Sequence, residues 1–406
     1  MTLPDGREAV LIPTGREMKS YGCMRSLSRH GIHTVVASEL EWIPHFESRY
    51  CDERVQLPTH WNDIVAYKDA LVELATRPDV RSIIPVRECD VYAFAAYSEE
   101  FEPHVDLVVP DAATLGTAHD RLQLAREAAK AGVPFAPTTA LSKTREWDRD
   151  VVVKPRYNIL TGDYLESVPR EHAFEVSDIV FLPAGRQGDV DRLHERMRHD
   201  PIVQEFIPQA EKILYTALWA DGEPAVTYQH RQLRTVSWIG GGGVYRESVH
   251  SEAVDEVATT LLRHLDWHGY ACIEYLKDER TGEWKFLEIN PRVWLSLPEA
   301  LRSGVDFPYH YWRHATGDPF ETVPDYPTGT RCHIAYGELK HLLSVRRDET
   351  PFAEPPSFGR TFLEIAGSCV RYPRFDYLRR DDPRFVLASI RALAGLDTDG
   401  RYDSVL

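Results

Sequence analysis

The chain has 406 residues, of which 43% are apolar, and a formal net charge of −16. A single core stops growing near roughly 250–300 residues, so this length implies two or three packed units. The acidic balance argues against a nucleic-acid partner, and no apolar run approaches the roughly 20 residues of a membrane-spanning helix.

The N-terminal "MTLPDGREAVLIP" has neither a basic leader nor a long apolar segment, which points to the cytoplasm. Six cysteines stand singly, with no pair spaced for zinc or redox chemistry, and are expected as reduced thiols. Lysine supplies 9 of the 47 basic residues, an acidic and arginine-rich surface that suits a salt-rich cytoplasm.

In chain order, Ala9–Ile12 reads as a strand, Tyr21–His30 as a helix stopped by Gly31, and Ile32–Ala37 as a strand. Further strands are expected at Arg81–Val86 and Val105–Pro110, with helices at Ile64–Thr76 and Val91–Phe101 between them. That alternation is an α/β layer with a parallel sheet. The first loop, "PTGREMKS", lacks the glycine spacing of a dinucleotide fingerprint.

Asp111–Gly132 reads as one helix, and "VPFAPT" as a boundary before a second unit that runs to about Asp318. Beyond it, "RRDETPFAEPPSFGR" is a polar, proline-rich linker ahead of helices at Arg360–Cys369 and Arg384–Leu393.

The chemistry concentrates in "ACIEYL" and "EWKFLEIN", two strand-like runs joined by "KDERTG". A turn centred on Thr281 pairs Glu274 with Glu288 across the hairpin, and Asn290 shares the face of Glu288 because side chains alternate along a strand. Opposed like charges on so apolar a pair call for a cation between them, and two carboxylates with an amide oxygen are hard ligands suited to Mg²⁺. An exposed hairpin whose acids face water is the alternative, and a one-residue slip would remove the pairing.

"EINPR", about fourteen residues after "IEY", resembles the metal-binding hairpin of the ATP-grasp superfamily. Most of the chain joins the resemblance. "RSLSRHGIHTVV" and "SRYCDERVQLP" are similar to the pre-ATP-grasp domain of carboxylate–amine ligases, which themselves resemble carbamoyl-phosphate synthase. "DRLQLAREAAKAGVPFAPT", "VVVKP" and "IVQEFIPQAE" resemble the opening helix, the phosphate-contacting strand and the adenine hinge.

The resemblance implies an N-terminal Rossmann-like parallel sheet over 1–112, an ATP-grasp domain of two α+β subdomains over 113–318, and a mostly helical extension over 319–406, α/β and α+β in class. It assigns Lys154 to the ATP phosphates, Arg121 to the nucleotide site in place of a lysine, Gln204, Glu205, Phe206 and Ile207 to adenine, and Glu211 to ribose. Glu274, Glu288 and Asn290 would hold Mg²⁺ (or Mn²⁺), and Arg292 would face the transferred phosphate or the substrate carboxylate.

The run Gly240 to Gly243 resembles the segment that approaches the acyl-phosphate site, with Arg231, Arg234 and Arg246 adding charge there, Arg234 in a catalytic role. Two departures stand out: Arg121 occupies a position where many relatives have lysine, and "RYNILTGDYLE" offers the single glycine Gly162 in place of a glycine-rich flap.

The implied activity is an ATP-dependent ligase joining a small-molecule carboxylate to an amine through an acyl phosphate. A carboxylase or carbamoyl-phosphate chemistry on bicarbonate, and a nucleotide-binding regulator without turnover, remain as alternatives. For the region after Asp318, capping the active site and a homodimer contact are both open.

Overall fold

The strand Ala9–Pro13 (β1) is buried at every position, as expected of a parallel strand covered on both faces. Val10 and Ile12 enter one core while Ala9 and Leu11 enter another, following the period of two. The structure, a computed structural model, describes residues 6–220, 222–318 and 325–394.

The N-terminal layer continues through Ser20–Arg29 (α1), His33–Ser38 (β2), Glu53–Gln56 (β3), Ile64–Ala75 (α2), Val80–Ile83 (β4), Glu88–Ala96 (α3) and Ser98–Phe101 (α4). Its sheet is parallel, in the order β3-β2-β1-β4. The expected α/β layer is present, with two corrections. β3, too short and polar to stand out, is an additional strand, and Val105–Pro110 is not a strand. Val105 and Val109 instead pack into the core beside the sheet, so that segment gains burial without ladder hydrogen bonds.

The expected helix over Asp111–Gly132 is two helices, Ala112–His119 (α5) and Arg121–Lys130 (α6). Asp120 breaks the run by leaving the helical region and accepting hydrogen bonds from Leu122 N and Gln123 N, the N-cap role for which a short carboxylate is favoured.

A small antiparallel sheet follows, formed by Thr138–Ala140 (β5), Val151–Lys154 (β6), a strand Val180–Leu182 and the strand Ile202–Glu205. Between its second and third strands runs a two-stranded ribbon, Leu160–Thr161 (β7) with Ala173–Phe174 (β8), which makes Val180–Leu182 β9. The helix Val190–Met197 (α7) then leads into Ile202–Glu205 (β10), and the sheet order is β5-β10-β6-β9.

The central sheet is built from Gln209–Ala220 (β11), Glu223–Ser237 (β12), Gly240–Val249 (β13), Gly269–Asp278 (β14) and Trp284–Asn290 (β15), with the helix Glu252–His264 (α8) before β14. Leu214 and Leu218 of β11 face the N-terminal layer, while Ile213, Tyr215, Ala217 and Trp219 face α8. After Leu297–Arg302 (α9) and Phe307–Ala315 (α10) comes Arg331–His333 (β16), which extends this sheet to the order β15-β14-β11-β12-β13-β16.

The helices Ala335–Arg347 (α11), Phe358–Arg371 (α12) and Pro383–Leu393 (α13) complete the fold. The C-terminal region therefore does not stand apart: α13 returns to the N-terminal layer, where Phe385 stacks on Tyr21 at 3.8 Å and Asp382 accepts hydrogen bonds from Tyr21 and Ser48. The expected boundary at 318/319 borders residues outside the described ones. Among the described residues no helix is long and apolar enough to cross a membrane.

Gly269 opens β14 at φ +92°, and a Cβ there would lie 2.4 Å from the carbonyl oxygen of Val108. Gly269→Ala is expected to destabilise the protein by more than about 1 kcal/mol in denaturant unfolding, because both backbone and neighbour resist the side chain. A neutral result would show that the Val108 segment is free to move aside.

Candidate active site

Antiparallel pairing of β14 with β15 sets Glu274 opposite Glu288 and Cys272 opposite Asn290, the register expected from the sequence. A bulge after Glu274 shifts the pairs nearer the turn without disturbing the acids. Each carboxylate holds a cation. Arg121 donates to Glu288 through Nε at 3.1 Å and Nη2 at 2.9 Å, and Lys212 lies 2.7 Å from Glu274.

Burial pushes the Glu288 carboxyl up, but Arg121 and Lys154 outweigh it and hold it down at about 2. Lys154, at the end of β6, has its pKa pushed down to about 8 by desolvation and the Arg121 and Lys212 cations, against the pull of Glu288 and Glu274. Three cations thus stand around two acids, a locally positive cluster in a chain of charge −16.

The donor set fits a magnesium–triphosphate. Glu274 and Glu288 would offer carboxylate oxygens and Asn290 an amide oxygen, which now accepts from Arg292 Nη2 at 3.3 Å. The excess of positive charge around them suits phosphate oxygens.

The hinge after β10 is equally definite. The N–H groups of Glu205 and Phe206 donate to Pro137 and Asp150, both at 2.9 Å, whereas Ile207 N–H has no partner among the described residues. Gln204 directs its side chain to Thr138 Oγ1 at 3.0 Å, so it braces the small sheet. Glu205 is engaged by Arg149 and Arg280. Glu211, expected at ribose, accepts a hydrogen bond from Arg231 at 2.9 Å.

Arg234 is not brought to the hairpin: its Nη1 donates to both oxygens of Glu338 in α11, at 2.9 and 2.7 Å. Register shifts along β12 turn it towards the C-terminal helices, a contact across 104 residues that local pattern does not encode. Arg246 is fully buried between Glu299, at 2.9 Å, and Asp376, and so is structural as well. Within the glycine run, a Cβ on Gly242 would lie 3.6 Å from the side chain of Leu295, three residues beyond Arg292.

No glycine-rich flap is seen among the described residues between β6 and α7. The β7–β8 ribbon occupies that stretch and docks on the N-terminal layer through Ile64 N to Glu171 O (2.8 Å) and Tyr92 to Asp163 (2.7 Å). Gly162 serves the ribbon, since a Cβ there would meet Arg170 Cα at 2.9 Å.

Sequence reasoning missed Lys212, whose only signal was its place beside Glu211, and also missed an aromatic group at the hinge. Phe352, from the C-terminal linker, packs on Phe206 at 4.2 Å between ring centroids and on Phe181 of β9 at 5.7 Å. His333, Glu338 and Cys369 also lie within metal-ligand reach of one another, but Glu338 is already held by Arg234 and His333.

The sequence matches no family model and no curated protein. Solved structures do resemble this one. The biotin carboxylase domain of the Hydrogenobacter thermophilus 2-oxoglutarate carboxylase, in complex with MgADP and bicarbonate, is 16% identical over 77% of this chain and 70% of that one, with a TM-score of 0.59. The L-amino acid ligase of Bacillus licheniformis is 13% identical over 78% of each chain, with a TM-score of 0.57. Rhizobium etli pyruvate carboxylase is 16% identical over 77% of this chain, which spans only 28% of that enzyme, with a TM-score of 0.57. The fold is therefore the ATP-grasp fold.

A purine seated at the Ile207 hinge would stack against the phenylalanine group. Phe352→Ala is expected to weaken MgATP binding about tenfold by calorimetry, with Phe352→Leu intermediate. Equal affinities for all three proteins would place Phe352 outside the nucleotide pocket.

Proposed function

We propose that the chain is an ATP-dependent carboxylate–amine ligase, releasing ADP and phosphate as it forms an amide. The observation that carries this reading is the opposed Glu274–Glu288 pair, with Asn290 on the same strand and Arg121, Lys154 and Lys212 around it. Acids held against more cations than they need suit a metal-bound triphosphate. The catalytic part is residues 113–318, against which Glu338 and Phe352 of the C-terminal region pack.

Magnesium, when bound, would neutralise charge on the terminal phosphates. The chain's own residues do the rest. Ile207 N–H and the phenylalanine group hold the base, Lys154 and Arg121 hold phosphate oxygens, and Arg292 orients the carboxylate with its planar fork. A carboxylate oxygen attacks the terminal phosphorus and ADP leaves; the amine nitrogen then attacks the acyl carbon, phosphate leaves, and the nitrogen gives up its proton. Positioning and charge stabilisation supply the rate, and no side-chain nucleophile takes part. All six cysteines are free thiols, which suits a reducing cytoplasm.

A second reading, formation of a carboxyphosphate from bicarbonate, is supported by the fold shared with carboxylase domains. ADP release driven by bicarbonate alone would favour it.

Glu288→Gln removes one of the two metal-facing charges and is expected to lower ADP formation by roughly 100-fold or more, with the fold retained by circular dichroism and a lowered unfolding midpoint from the lost Arg121 pair. Undiminished turnover would remove the hairpin from the mechanism.

A further inference from the structure

The C-terminal helices carry a surface that the nucleotide site does not use. Thirteen large apolar side chains are exposed among the described residues, and five of them, Leu339, Leu343, Phe362, Leu363 and Val370, stand on α11 and α12. The two helices run antiparallel and side by side. Arg346, near the end of α11, lies over the ring of Phe358 at 3.8 Å, and Arg234, which holds Glu338 near the start of α11, comes within 3.5 Å of Ser368 near the end of α12.

Apolar residues occupy two opposite faces of α12. Phe358, Thr361 and Ile365 are buried or half-buried on the side of α11. The other face carries Gly359, Leu363, Ala366 and Val370, whose spacing of four, three and four residues makes one straight stripe, with Phe362 at its flank. Leu363 is 69% and Val370 82% exposed, and a Cβ on Gly359 would meet nothing within 4 Å. No charged residue falls on the stripe in about three turns of helix, although the chain carries a net charge of −16. Of the fourteen residues of α12 only Thr361 is fully buried. A helix with apolar residues on both sides is built to be covered on both.

The sequence of the stripe indicates what covers it. Its small residues, Gly359 and Ala366, are seven apart, and so are its large ones, Leu363 and Val370. Two copies of this helix laid antiparallel, about a two-fold axis passing between Glu364 and Ile365, set Gly359 against the second copy's Val370 and Leu363 against the second copy's Ala366. Every layer then joins one large and one small side chain, on both helices at once, which lets the axes approach to the close end of the 8–10 Å range. A contact between like surfaces requires that reciprocity, whereas an unrelated partner does not.

We propose that two copies of this chain pair through α12 in antiparallel alignment, with Leu339 and Leu343 of α11 widening the contact. The pairing does not depend on the ligase reading. Two such helices side by side present a face of roughly 20 Å by 20 Å, small for an obligate dimer, so the pair is expected to dissociate on dilution.

The test is sedimentation of the full chain over about a hundredfold range of concentration. The mass of two chains is expected at the upper end; the mass of one chain throughout would overturn the proposal and leave the face to a different partner. Leu363→Glu and Ala366→Lys are each expected to sediment as one chain, with circular dichroism and thermal unfolding close to those of the parent. Mixed in equal amounts, the two variants are expected to pair again. Antiparallel alignment sets the new carboxylate against the new ammonium and keeps the other Leu363–Ala366 contact as it was. Dimers that survive both single substitutions would place the contact elsewhere and overturn the proposal, and a mixture that stays at the mass of one chain would do the same.

Discussion

Two carboxylates fixed opposite each other on a hairpin, Glu274 and Glu288, set the terms for the rest of the molecule. Like charges directly opposed across a pair of strands are unfavourable, and burial raises the cost, so cations must be delivered to them. They come from three elements: Arg121 from the start of α6, Lys154 from the end of β6, and Lys212 from β11. The small sheet, the helix that Asp120 caps and the central sheet must all be in register for this cluster to exist.

The C-terminal region secures that register from outside. Arg246, buried in the central sheet, is shared by Glu299 of α9 and Asp376 beyond α12, and a pair this buried costs about 3–5 kcal/mol to break by removing one partner. Arg234 ties β12 to α11 through Glu338, and Trp238 at the tip of the glycine hairpin donates to Asp348 O at 2.9 Å. Four residues past Asp348 stands Phe352, packed on the hinge. One short segment thus touches both the glycine hairpin and the hinge.

Much of this was legible because it is local. The opposed acids follow from a turn and a period of two, and the bulge after Glu274 falls on the turn side, where it does no harm to them. The first strands and helices follow from hydrophobic periodicity. Asp120 breaks a helix that apolar spacing alone would continue, because capping two backbone N–H groups is worth more there than one further helical turn. Val105–Pro110 has strand composition but finds its burial without a ladder.

What was not legible is long-range. Arg234 and Arg246 beside a glycine run look like substrate contacts, and only the fold reveals that α11, α9 and the chain beyond α12 claim them. Phe352 lies in a proline-rich linker with no pattern to mark it. Arg292 finds Glu88 at 2.7 Å only because the sheet order brings the segment after β4 to the end of the hairpin.

The most direct test of the central claim is diffraction at the manganese edge from crystals grown with Mn²⁺ and a non-hydrolysable ATP analogue. A single anomalous peak within coordination distance of the oxygens of Glu274, Glu288 and Asn290, against the terminal phosphates, is the predicted result. Nucleotide bound with the metal elsewhere, for instance among His333, Glu338 and Cys369, would contradict the account.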